Sequence, residues 1–235
     1  MCGRFVRTVA VEKISERFGV PAKDTVSLRP SFNVAPGNPV LAVIPGTPGK
    51  LAVFSWGMVP SWKQSGRRSS SLIINARSES IRNKPLFREA FMKRRCLIPA
   101  DGFYEWHTAN GRRVPYLFRL RSRALFGFAA IWNDPEKGAK RSLPACAILT
   151  TRANALVRGI HPRMPVLVRR EHEPLWGAPK TCDFEGMSAL LAPYPGEEME
   201  RFRVTSRVNA ASYDSPGCVE PLEEEDEGSQ MKLFS

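Results

Sequence analysis

The chain has 235 residues, 43% hydrophobic and 25% charged, a composition that builds a substantial core in one large domain or two small ones. No apolar run approaches the roughly 18 residues that span a bilayer, and the N-terminus lacks the apolar stretch of a secretory signal, so membrane-spanning and secreted proteins are both set aside. The net charge is +12, yet Glu223-Glu224-Glu225-Asp226-Glu227 holds five of the 23 acids, so the rest sets 18 acids against 35 bases, and such a body attracts polyanions, nucleic acid ahead of an acidic membrane surface.

In chain order, Thr8–Gly19 reads as a short amphipathic helix. Val11, Ile14 and Phe18 share one face, Thr8 caps the start and Gly19 ends it. Val40–Ile44 and Leu51–Trp56 are strands joined across Pro45–Gly49. Ser65–Ser71 is a polar, basic loop and Leu72–Asn75 a brief strand. Pro85–Phe91 is helical, with Phe87 and Phe91 one turn apart. Arg95–Pro99 and Phe103–His107 are strands flanking Ala100-Asp101-Gly102. Asn110-Gly111 is the strongest hairpin turn and leads into Val114–Arg121. Arg119, Arg121 and Arg123 share a face if that strand runs on. Ala124–Trp132 and Leu143–Thr150 continue the β pattern. Helices follow at Ala153–Arg158, Glu171–Trp176 and Met187–Leu191, and Phe202–Thr205 is a last strand. Many short strands, few helices and no βαβ rhythm indicate one α+β domain, mainly antiparallel with barrel-like sheets and a few peripheral helices, over residues 1–222. Residues 223–235 read as a disordered acidic tail.

The second residue is the first chemical signal. With Met1 removed, Cys2 carries a thiol and an α-amine on adjacent carbons. Their ordinary pKa values, about 8.5 and 7.7–8, leave part of each nucleophilic near neutrality, and a cation such as Arg4 raises the thiolate fraction. This pair either attacks an acyl group, with the amine as base, or condenses with an aldehyde to an imine and then a thiazolidine. The other cysteines, Cys96, Cys146, Cys182 and Cys218, show no C-x-x-C spacing. That argues against a zinc site or a disulfide framework and for a reducing cytoplasm. Cys96 and Cys146 lie in apolar runs and read as buried and inert.

Of the three histidines, His107 and His172 read as surface residues. His161 stands in Gly159-Ile160-His161-Pro162-Arg163-Met164-Pro165, where two prolines fix the backbone around an imidazole and a guanidinium. That pairing suits proton transfer beside an anion, or else a structural loop. Glu105 lies between Tyr104 and Trp106 in a strand, where burial would raise its pKa into the range of a general acid. Asn33 and Asn75 sit at strand ends, where an amide bonds its own turn or a substrate. Trp56-Gly57-Met58 and Trp62 flank a loop near Arg67 and Arg68, either as a stacking platform for bases or as core plugs. No phosphate-binding loop, zinc-protease or serine-hydrolase motif occurs.

Six segments in register resemble the SOS-response-associated peptidase (SRAP) family of abasic-site processing proteins: Met1-Cys2-Gly3-Arg4-Phe5, Phe32–Gly37, Trp56-Gly57, Ile74–Glu79, Ala100–Trp106 and Ile160–Val166. Val208-Asn209 also fits, and Tyr213-Asp214 departs from the family pattern. The resemblance implies a sensor of abasic sites in single-stranded DNA, with no metal or cofactor, that crosslinks to the lesion through Cys2. In that picture Cys2, Glu105, His161 and Asn75 are catalytic. Glu105 opens the sugar and moves protons, His161 assists imine chemistry and reversal, and Asn75 with Asn33 holds the open sugar. Arg4, Arg77 and Arg163 hold phosphates, while Trp56, Gly57 and Met58 pack beside a base. A monomer is expected, in the cytoplasm and associated with the nucleoid if the source is bacterial, with replication-fork proteins as candidate partners. Two other readings stay open: an N-terminal-cysteine acyl-transfer enzyme, amidohydrolase or peptidase, and a non-catalytic single-stranded DNA-binding module.

Overall fold

The computed structural model describes residues 2–21, 27–46, 49–59, 72–109, 111–135, 143–178, 186–187 and 189–222. The basic loop Ser65–Ser71, with Trp62, Asn110, Cys182 and the acidic tail, lies outside the described residues.

The strands are β1 (Phe5–Arg7), β2 (Ser31–Val34), β3 (Pro39–Ile44), β4 (Lys50–Trp56), β5 (Asn75–Arg77), β6 (Arg95–Ala100), β7 (Gly102–Ala109), β8 (Arg112–Leu120), β9 (Phe126–Asn133), β10 (Ala145–Arg152), β11 (Arg163–Pro165), β12 (Leu167–Val168) and β13 (Met199–Arg203). One sheet runs β13-β8-β7-β1-β2 and is antiparallel throughout. In the other, β10-β4-β3-β6-β9 closes on itself through β9–β10 pairing, a barrel whose one parallel contact is β10–β4. Closure removes free edges from these five strands. β11 and β12 pair with β10 and β9, and β5 runs parallel to β10.

Alternation along the barrel strands feeds two cores. Val40, Ala42, Phe54, Trp56, Cys96 and Ile98 share one with Phe103 and Phe118 of the first sheet. Those two phenyl rings stack at 5.2 Å. Leu41, Val43, Leu97 and Ile131 share the other with helix residues Val11, Ile14, Phe87 and Phe91. Burial on both faces explains why these strands read as unbroken apolar runs.

Three helices cover the second core. In α1 (Val11–Phe18), Val11 and Ile14 face inward, and Gly19 ends it in the left-handed region at φ 62°. Thr8 is no cap: Ala10 holds that position, and the Thr8 amide and hydroxyl donate to the Asp101 carboxylate instead. That tie fastens the end of β1 to the β6–β7 corner. α2 (Pro85–Lys93) opens on a proline, as helices tolerate, and buries Phe87, Ala90 and Phe91. α4 (Glu173–Gly177) plants Trp176 against Phe91. Between α2 and α4 the buried Arg95 guanidinium donates to the carbonyls of Phe91, Met92, Trp176 and Ala178. A cation there complements the negative ends of both helices.

The strand expected to carry Arg119, Arg121 and Arg123 ends at Leu120. Arg119 and Arg123 both meet Glu200 of β13, at 2.7 and 3.1 Å, so these arginines tie sheet neighbours together. The helix expected at Ala153–Arg158 shortens to α3 (Ala155–Arg158), capped by the Asn154 side chain. Ala189–Leu191 is a 3-10 turn. Among the described residues no helix is long and apolar enough to cross a membrane.

Candidate active site

The N-terminal segment threads between the two sheets. β1 pairs with β2 and β7, so Cys2 is drawn into the shared core, completely buried. Its carbonyl accepts from the Asn75 amide at 2.8 Å, and its thiol lies 3.8 Å from the Arg4 carbonyl. Asn75 is delivered by β5, whose parallel pairing with β10 turns Ala76 into the second core and Asn75 and Arg77 to the opposite face. The Asn75 Oδ1 is buried without a hydrogen-bond partner among the described residues.

Glu105 comes from the middle of β7, opposite Tyr116, with 2% of its surface exposed. Strand alternation puts Phe103 and Glu105 on one face and Tyr104 and Trp106 on the other, as the sequence suggests. Burial pushes the Glu105 carboxyl up to about 7, against the opposing pull of the positive amino terminus and Arg113. Burial, reinforced by the Glu105 charge, raises the Cys2 thiol far above its ordinary value. The expectation that Arg4 promotes the thiolate is therefore corrected. Desolvation dominates, and the Arg4 guanidinium is spent on Asn33 Oδ1 and the Val208 and Asn209 carbonyls at 2.8, 2.8 and 3.3 Å.

His161 faces Glu105 across the cleft, Nδ1 to Oε1 3.9 Å. The same Nδ1 lies 3.0 Å from the Arg163 amide and 2.9 Å from the Arg163 carbonyl. It accepts from the first when unprotonated and donates to the second when protonated. The loop thus holds the ring in one orientation through a proton transfer. Burial lowers the imidazole pKa, which favours the neutral form. Arg163 is itself fixed: its guanidinium meets Glu79 at 2.6 and 3.0 Å and the Thr150 carbonyl at 2.5 Å.

Gly3, Arg4, Pro36, Glu105, Trp106, Thr108, Arg113, His161 and Asn209 surround a cleft of about 400 Å³. Cys2 adjoins it as the residue before Gly3. Both acid–base groups and the N-terminal segment thus meet at one opening. A neutral-poised carboxyl, an oriented imidazole and a sheltered thiol can together move protons during addition to a carbonyl carbon.

The other residues singled out in the sequence fall differently. Arg77 is exposed beside this region on β5. Asn33, 2% exposed, is not free to hold a sugar. Its amide nitrogen donates to the Val208, Ala210 and Tyr213 carbonyls at 3.2, 3.1 and 2.7 Å, so it secures the 208–213 segment and, through its oxygen, Arg4. Trp56 and Met58 are core residues, 0% and 1% exposed, rather than a surface for bases. The Trp56 indole donates to the Ile74 carbonyl at 3.0 Å and packs on Phe5. Gly57, at φ 130°, lets the chain pass Leu72, whose Cβ would lie 2.9 Å from an added methyl.

Sequence reasoning gave no site role to Arg113, Trp106, Asn209 and Glu79. Arg113 lies over the Trp106 ring at 5.0 Å, and the Trp106 indole donates to Asn209 at 2.5 Å. The β7–β8 register pairs Trp106 with Pro115 and Thr108 with Arg113. Trp106 and Arg113 are thus diagonal cross-strand neighbours, a relation that the Asn110-Gly111 hairpin signal in the sequence makes deducible.

The SOS response associated peptidase family model matches residues 1–211. The Abasic site processing protein YoqW of Bacillus subtilis is 37% identical over 226 residues, covering 94% of this chain and 99% of that one. The Abasic site processing protein HMCES of Xenopus tropicalis is 24% identical, covering 93% and 78%. Among solved structures, a protein from Bacteroides thetaiotaomicron has the same fold, with a TM-score of 0.82 at 23% identity, covering 94% of this chain and all of that one, 100%. A phage-related protein from Bordetella bronchiseptica reaches 0.68 at 27% identity, covering 87% and 95%. With a family match spanning nearly its whole length and a relative this similar end to end, the chain belongs to the SOS response associated peptidase (SRAP) family.

Proposed function

We propose that this protein recognises abasic sites in single-stranded DNA and captures them covalently through Cys2 after Met1 is removed. The observation that carries this reading is the meeting of the Cys2 segment, Glu105 and His161 at one cleft. The names of the relatives point to the same lesion.

The Cys2 amine adds to the C1′ aldehyde of the opened sugar, and the carbinolamine loses one water to give an imine. The thiol then adds to the imine carbon, its proton passes to nitrogen, and a thiazolidine ring closes. Glu105, poised near 7, is present in both forms near neutrality. Its acid form protonates the departing oxygen, and its base form takes the thiol proton that burial otherwise retains. Neutral His161 relays protons from a fixed position. Asn75 holds the Cys2 backbone, and its unpartnered Oδ1 is suited to a sugar hydroxyl. Arg77 and Arg163 are the cations for flanking phosphates. Ring closure removes the imine that would otherwise lead to β-elimination and strand cleavage.

A denaturing gel tests this. Wild-type protein should shift single-stranded DNA with an abasic site and leave intact DNA unshifted, and an N-terminal extension that blocks the amine should abolish the shift. An undiminished shift with the blocked protein contradicts the mechanism. Cys2-dependent amide turnover without any DNA adduct would assign the site to acyl transfer.

A further inference from the structure

The acidic run Glu223–Glu227 has no part in the chemistry above, yet the fold fixes the point from which it leaves. The Leu222 amide donates to the Arg203 carbonyl at 2.9 Å, which ties the residue before the run to β13, the edge strand of the first sheet. Arg203 pairs with Tyr116 of β8, and Tyr116 pairs with Glu105 of β7. Directly opposed residues of an antiparallel sheet share a face, so Glu105, Tyr116 and Arg203 form one row across it. At about 5 Å per strand, the run starts roughly 10 Å from the cleft carboxylate. Five extended residues reach up to about 17 Å, enough to lie over that opening.

Arg201 stands on the same face, two residues back along β13. Its guanidinium lies 5.9 Å from the centre of the Tyr116 ring and donates to the Leu156 carbonyl at 2.7 Å. A methyl added at Gly159 would meet it at 3.4 Å, so this cation borders the loop that carries His161. Glu200, between the two arginines, points to the opposite face and holds Arg119 and Arg123 there. Arg201 and Arg203 are exposed and enter none of the ion pairs formed among the described residues. Two cations thus flank the cleft at the place where five acids leave the fold.

We propose that Arg201 and Arg203 are the docking surface of the chain's own Glu223–Glu227 run, which covers this side of the cleft until DNA phosphates displace it. The displacement, though not the docking, rests on reading the cleft as a DNA site. Carboxylates and phosphates compete for the same cations, and an anion tethered at Leu222 competes at a high effective concentration. The run then acts as a filter: DNA whose lesion engages the cleft recovers the cost of displacing it, and DNA held by charge alone does not.

Two measurements on the full chain test this. The first needs no DNA. Amide NMR resonances of residues 225–227 should move on Arg201→Gln/Arg203→Gln, and should move the same way when wild type is taken to about 1 M salt, which screens such pairs. Resonances that stay in place would overturn the docking. The second neutralises the run with Glu223→Gln/Glu224→Gln/Glu225→Gln/Asp226→Asn/Glu227→Gln and reads affinity by fluorescence anisotropy. The ligand is single-stranded DNA carrying a tetrahydrofuran abasic analogue, which lacks the aldehyde. Neutralisation should tighten binding about 5-fold at low salt, the worth of two exposed ion pairs. In the Arg201→Gln/Arg203→Gln background the gain should fall below about 2-fold. Equal gains in the two backgrounds would mean long-range repulsion and would overturn docking at these arginines. Docked resonances that DNA does not move, in a protein that forms no adduct with natural abasic DNA, would overturn the reading of the cleft alone.

Discussion

Glu105 holds a charge at a cost to the fold, and that cost can be measured. Burial raises its carboxyl from an ordinary 4.5 to about 7. The folded state therefore binds the proton more tightly than the unfolded chain, and stability falls as pH rises between those values. At about 1.4 kcal/mol per pH unit the full penalty is about 3 kcal/mol, reached above pH 7 and absent below 4.5. Glu105→Gln removes the charge and keeps the shape. Most of the penalty develops between pH 5 and pH 8.5, so the variant's advantage over wild type should grow by about 2.5 kcal/mol across that interval. For a chain of this size that corresponds to roughly 5–10 °C in Tm. Any pH-independent change from the new amide cancels in the difference. Thermal unfolding of both proteins at the two pH values reads it directly. The same variant should form the DNA adduct far more slowly, so stability and activity should move in opposite directions. A stability gap that is the same at both pH values would refute the buried, neutral-poised carboxylate.

Arg113 stabilises the ionised form of Glu105, so Arg113→Ala should move the pH–rate profile of adduct formation upward, and Arg113→Lys should largely restore it; an unmoved profile would remove Arg113 from the site. Asn33→Ala takes a donor from the Val208, Ala210 and Tyr213 carbonyls and one acceptor from Arg4, which keeps the Val208 and Asn209 carbonyls, and should cost about 1–3 kcal/mol in denaturant unfolding. Unchanged stability with lost DNA capture would instead return Asn33 to the sugar. Cys2→Ser keeps the amine and removes the ring-closing atom, so it should give an adduct that appears only after borohydride trapping. A heat-stable adduct without borohydride would show that sulfur plays no part.

Much of the barrel was legible because its strands are buried on both faces. Val40–Ile44 and Ala124–Trp132 are nearly continuous apolar runs, and the observed strands lie within a residue or two of those bounds. β1 and β2 were not legible. Three or four residues carry no period, and their strand character comes from partners far along the chain, Phe5 with Val34 and with Phe103. Trp56 illustrates the opposite difficulty. An aromatic beside glycine and methionine fits a base platform or a core plug equally well, and only the packing against Phe5 settles it in this conformation. At the site, alternation alone placed Glu105 on the Phe103 side, whereas Glu79 sits in an irregular turn whose proximity to Arg163 depends on β5 pairing with β10. The environment of Cys2 was misjudged for a related reason. A neighbouring Arg4 suggests a stabilised thiolate, but strand geometry sends that guanidinium to Asn33 and leaves the sulfur in the core.

The central claim is that one residue supplies both nucleophiles. Intact-mass analysis of wild-type protein incubated with abasic single-stranded DNA, followed by peptide mapping, tests it most directly. The expected species is protein lacking Met1 plus DNA minus one water, with the linkage at Cys2. An adduct that retains Met1, or one mapped to a lysine, would contradict the claim.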